Sequence, residues 1–136
     1  MESKKTIKMK YLSDYMEEKQ TALFNRTGTF FAFSQKQFEE GRKDNVKYVN
    51  LGQGMLTEKP FVEEVINELD KIYKDSIQQD LKENGKDKII LRELENHEAF
   101  YVGNIEDTIH KLEDYPITED NISHIYQKNW AKYSGY

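Results

Sequence analysis

The chain has 136 residues, enough for one ordinary domain that buries roughly two thirds of its unfolded surface. A net charge of −5, from 25 acidic and 20 basic side chains, argues against a dedicated binder of the DNA backbone, which needs a basic surface. The absence of cysteine excludes a disulfide framework, a zinc–thiolate site and a thiol nucleophile, while 7 Phe, 9 Tyr and 1 Trp argue against disorder despite 33% charged residues.

The first eight residues are positively charged without an apolar run behind them, and no stretch approaches the roughly 18 apolar residues of a membrane span. The expectation is a cytoplasmic protein of one domain, 1–136, with 1–8 flexible and no membrane contact. No internal repeat or low-complexity linker marks a boundary.

Leu12, Tyr15, Met16, Leu23 and Phe24 fall near one stripe, so the spacing predicts a helix from about Lys10 to Asn25, closed by Asn25–Gly28. Thr29–Phe33 is a continuous apolar run of strand type. Ser34 then starts a short helix, with Gln37 placed to complete a capping box, and Gly41 ends it. Val46–Leu51 reads as a half-buried second strand; the spacing between the two strands allows either a parallel crossover or antiparallel pairing.

Gly52-Gln53-Gly54 follows, and then the longest helix, starting at Thr57 or Pro60 and ending at Asn84-Gly85. Its face comprises Phe61, Val62, Val65, Ile66, Leu69, Ile72, Tyr73, Ile77 and Leu81. Lys86–His97 is a further helix, Ala99–Val102 a third short strand, and Asn104 caps a helix over 105–114 that ends before Pro116. Thr118 caps the last helix, 119–133, with Ile122, Ile125, Tyr126 and Trp130 as its stripe and Ile117 as a hydrophobic staple. The fold class is α+β, five or six helices on a two- or three-stranded sheet.

Gly52, Gln53 and Gly54, between a strand and a helix N-terminus, form a place where free backbone N–H groups and the helix dipole could hold an anion. The third glycine of the dinucleotide fingerprint is replaced by Thr57, and the Walker lysine is absent, so the same glycines serve equally as a sharp turn. Glu93 and His97 share a helix face, as a carboxylate–imidazole pair, as half of a metal site joined by His110 and His124, or as a plain surface pair. No H-E-x-x-H or G-x-S-x-G occurs, and Ser34, Ser76 and Ser123 have no evident base, so no catalytic residue, cofactor or metal is assigned.

From Glu93 to Asp120 there are nine acidic residues and one basic, Lys111, a local charge of −8. The pairs Glu106-Asp107, Glu113-Asp114 and Glu119-Asp120 are a solvated face or a surface that imitates a row of phosphates for a basic partner. Downstream, Tyr126, Trp130 and Tyr133 are read first as core and second as a partner surface or homo-oligomer contact.

Phe30-Phe31-Ala32-Phe33-Ser34 with Gln37-Phe38, Tyr48-Val49-x-Leu51-Gly52-x-Gly54-Met55, and Asn96-His97-Glu98-Ala99-Phe100-Tyr101 with Gly103-x-x-Glu106-Asp107 together resemble a family of small uncharacterised proteins carried by phages and mobile elements of gut bacteria. The resemblance spans most of the chain and brings no enzymatic motif. It implies an anti-CRISPR-like inhibitor that binds a Cas9-type effector, with the acidic helices meeting the channel that normally holds a nucleic-acid duplex. The expectation is therefore a non-enzymatic inhibitor that binds a protein and not nucleic acid; the alternative is a small ligand- or metal-binding domain or enzyme using Gly52–Gly54 or Glu93 and His97.

Overall fold

Two compact groups of residues divide the chain, one up to Ser76 and one from Ile77 onward. The computed structural model describes residues 9–133, with side chains through 132; the expectations for 1–8 and for the Tyr133 side chain lie outside the described residues.

The first unit holds α1 (Leu12–Thr27), β1 (Phe30–Phe31), α2 (Gln35–Gly41), β2 (Tyr48–Asn50), β3 (Met55–Glu58), a 3-10 turn (Lys59–Phe61) and the start of α3 (Val62–Asn84). α1 begins where Asp14 accepts from the Tyr11 N–H at 2.8 Å and ends at Gly28, whose φ of 67° lets its N–H turn back to the Phe24 carbonyl. The Ser34 hydroxyl accepts from the Gln37 N–H at 3.1 Å, as the capping pattern predicts, but Gln37 reaches past Ser34 to the Phe33 N–H at 2.6 Å.

The sheet differs from expectation in its third strand, which is Met55–Glu58. It lies between the other two, in the order β1-β3-β2, and pairs antiparallel with both, so β1 and β2 never meet. Ala99–Val102, expected as that strand, is a one-turn helix. The pairing Phe30↔Leu56 and Asn50↔Leu56 puts Phe30, Asn50 and Leu56 on one face, with Tyr48 and Glu58. On that face Phe30, Phe38 of α2 and Tyr48 form a cluster with ring centroids 5.3 to 6.4 Å apart, each pair contributing about 0.5–1.5 kcal/mol beyond area.

The opposite face carries Phe31, edge-on to Phe24 of α1, and a buried chain of hydroxyls. Thr27 donates to the Leu23 carbonyl at 2.8 Å, so Thr29 must donate to Thr27 at 2.8 Å and Thr57 to Thr29 at 3.1 Å. One helix carbonyl thereby fixes the direction of the whole chain, which ties α1 to two strands.

The second unit holds the rest of α3, α4 (Lys86–Asn96), α5 (Ala99–Val102), α6 (Glu106–Lys111) and α7 (Glu119–Tyr133). Its buried apolar side chains include Ile77, Ile89, Ile90, Leu94, Leu112, Ile122 and Ile125. Thr118 caps α7 as expected: its hydroxyl accepts from the Asn121 N–H at 3.1 Å, and Asn121 returns a bond to the Thr118 N–H at 3.0 Å. The described residues contain seven α-helices and three strands, an α+β fold with more and shorter helices than the periodicity indicated. None of these helices is long and apolar enough to cross a membrane.

Candidate functional site

The helix start expected just after Gly52-Gln53-Gly54 is corrected by β3. The three residues form the turn of the β2–β3 hairpin, with φ of 105°, 56° and 78°. Gly52 N–H already donates to the Asn50 side chain at 2.8 Å, and the Met55 N–H donates to the Gly52 carbonyl at 3.0 Å. The helix dipole on which anion binding was predicated is missing, because a strand follows. The glycines act as a turn, and Gly54 lies against the Phe33 ring, where a Cβ would come within 2.6 Å of it.

The second unit contains a buried polar network. Asp80 of α3 takes two parallel hydrogen bonds from the Arg92 guanidinium of α4, at 2.9 and 3.0 Å. Its carboxylate also accepts from Asn84 at 2.8 Å and from the Tyr115 hydroxyl at 2.5 Å, so its four lone-pair positions are filled. Arg92 Nε donates in turn to Glu93 at 2.6 Å. Burial would push the Asp80 carboxyl up, but the bonds from Arg92, Tyr115 and Asn84 outweigh it and hold it below the usual aspartate range. Burial and the bond to Asp80 both push the Tyr115 phenol up; burial opposes the Arg92 charge, and its two carboxylates raise its pKa nonetheless.

Glu93 is thus no surface residue: it is 0% exposed, and its expected partner His97 holds Nε2 3.7 Å from Glu93 Oε1, beyond hydrogen-bond distance. Neither of those two atoms has a hydrogen-bond partner. His110 and His124 are exposed, and no group of three or more His, Asp or Glu among the described residues is arranged to hold a metal. With Asp80 saturated and sealed from solvent, the network clamps α3, α4 and the segment after α6 together.

The acidic residues are placed differently. Glu106, Asp107, Glu113, Asp114, Glu119 and Asp120 are all exposed. Glu106-Asp107 and Glu119-Asp120 occupy the first turns of α6 and α7, where the positive helix end favours them. Glu113-Asp114, expected on the first of these helices, lie in the turn after it, since α6 stops at Lys111. From Ile77 on there are twelve acidic and seven basic residues, and before it thirteen of each, so the whole net charge of −5 belongs to the second unit.

Two clefts accompany these features. One in the first unit, about 370 Å³, is lined by Lys19 and Arg26 of α1 and by Glu68, Lys71 and Asp75 of α3. One in the second, about 280 Å³, is lined by Glu95, Glu98, Phe100 and Tyr101. Sequence reasoning missed Asp80, Arg92 and Tyr115. Their signal was a charge on an apolar stripe: Asp80 lies three residues after buried Ile77, and Arg92-Glu93 lie between buried Ile90 and Leu94.

The protein-family model described as "Family of unknown function (DUF7659)" matches residues 12–132. No curated protein and no solved structure matches the chain.

Proposed function

The chain belongs to DUF7659, and we propose that it is a non-enzymatic binding protein whose second unit meets a basic protein partner through its acidic surface. One observation carries this: the whole net negative charge of the molecule resides in one unit, with six of its carboxylates exposed between Glu106 and Asp120. Such a field attracts a basic surface over about 10 Å at 0.1 M salt and raises the rate of encounter more than the final affinity. The buried clamp supports the same reading, because its Tyr115 ties the turn that carries Glu113 and Asp114 to α3.

The particular form that the resemblance implies is inhibition of a host defence effector of Cas9 type, whose channel is basic because it holds a heteroduplex. The test reverses Glu106, Asp107, Glu113 and Asp114 to lysine in the full chain and measures association with a purified Cas9-type effector at low and high salt. Association that slows at least tenfold at low salt, with the difference shrinking as salt rises, is the expected result. Unchanged association at low salt refutes the acidic-surface reading.

A further inference from the structure

We propose that the cleft beside α5 is an anchor for an arginine side chain of the basic partner, an inference that rests on the second unit being the partner-binding one. Among the described residues, two carboxylates, Glu95 and Glu98, and two aromatic rings, Phe100 and Tyr101, line it. α5 has only four residues and is divided in its exposure. Ala99 and Phe100 are buried, and the Phe100 ring stacks on Tyr126 of α7 at 5.1 Å with 11° between planes. Tyr101 and Val102 point the other way, at 89% and 62% exposure.

Tyrosine is among the side chains enriched at the energetic centres of protein interfaces, and Tyr101 is exposed beside a ring fixed by stacking. The cleft's charge selects that partner. A planar guanidinium can lie flat on an aromatic face while its fork donates two parallel bonds to a carboxylate, whereas an ammonium is a compact, strongly hydrated point charge with neither the plane nor the fork. The negative charge of the unit, −5 from Ile77 onward, steers such a group toward it.

Glu98 supplies the discriminating test. It begins α5 in the left-handed region at φ 54°, where a non-glycine residue is strained. Its carbonyl accepts from the Tyr101 and Val102 N–H groups, so the strained turn is what aims Tyr101 outward. Glu98→Gly relaxes that backbone and removes the carboxylate, which separates binding from folding.

The experiment titrates the ¹⁵N-labelled full chain with an acetylated tetra-arginine peptide and, as the uncharged counterpart, its tetra-citrulline analogue. The expected result is saturable amide shifts centred on Glu98 to Tyr101 with the arginine peptide alone, weakened about tenfold in Tyr101→Ala and in Glu98→Gly, the latter folding at least as stably as the parent. Equal responses to the two peptides, or shifts confined to Glu106–Asp120, overturn the anchor, and the second of these leaves the acidic-surface proposal standing. No saturable shift in either region overturns both.

Discussion

Replacing Tyr115 by phenylalanine removes one of the four hydrogen bonds that the Asp80 carboxylate accepts. The hydroxyl donates to Asp80 at 2.5 Å, and both side chains are buried. A hydrogen bond to a charged acceptor contributes about 1.5–3 kcal/mol, and the ring is kept, so no cavity adds to the loss. Asp80 retains Asn84 and both Arg92 bonds, which places the expected cost in the lower part of that range, about 1.5–2 kcal/mol. With a urea slope of about 1.5–2 kcal/mol per molar, the midpoint falls by about 1 M. Fluorescence of Trp130, the single tryptophan, follows the second unit directly.

The pH dependence supplies an independent check. Burial and Asp80 raise the Tyr115 phenol above its ordinary value of 10.0. Its contribution is therefore complete below that pH and is lost as pH climbs from there through the raised folded value. Parent and Tyr115→Phe should differ fully at pH 7 and converge above about pH 10, with titration of other groups common to both. Arg92→Met, which strands the Asp80 and Glu93 carboxylates, should cost about 3–5 kcal/mol. A Tyr115→Phe loss under about 0.5 kcal/mol at neutral pH, or a gap that stays constant on the alkaline side, refutes the account of the network.

Asp80 gives the opposite pH sign: held below the usual aspartate range, it stabilises above its unfolded value and loses that contribution as pH falls through the folded one, so Asp80→Asn should show lower stability at neutral pH and a flatter acid limb in urea titrations. Thr27→Val should cost about 1–3 kcal/mol in chemical denaturation because it strands the Thr29 hydroxyl. Thr57→Val should cost under about 1 kcal/mol, since only the first donor of the chain is lost; equal costs would refute the assigned direction. Gly28→Ala should be worse than Gly103→Ala. Both have positive φ, but only at Gly28 does the new Cβ strike the Glu58 carboxylate that pairs with Lys43 at 3.0 Å, whereas Gly103 has open space. Melting curves of the two variants settle the order.

The helices were legible because period and caps are local. The stripe of α3, the Ser34 and Thr118 caps and the Gly28 exit all follow from groups within four residues of one another. β3 was not legible, since Thr57 and Pro60 satisfy the start pattern of a helix and only pairing with β1 and β2 turns Met55–Glu58 into a strand. Ala99–Val102 failed in the reverse direction: an apolar run of four suits a strand or one helical turn equally, and no partner strand lies beside it among the described residues.

The same division holds for the functional surface. Sequence by itself determined the charge of the 93–120 segment, the absence of cysteine chemistry and the exposure of the paired acids, because charges avoid burial unless paired. Tertiary structure alone decided which charge is the exception. Glu93 and Asp80 are buried because Arg92 and Tyr115, 12 and 35 residues from Asp80, come to meet them. It also decided that Gly52–Gly54 turns between strands and that Tyr101 faces solvent beside Glu98. Neighbours along the chain fix a helix; what a side chain meets across the fold depends on groups that no local pattern brings together.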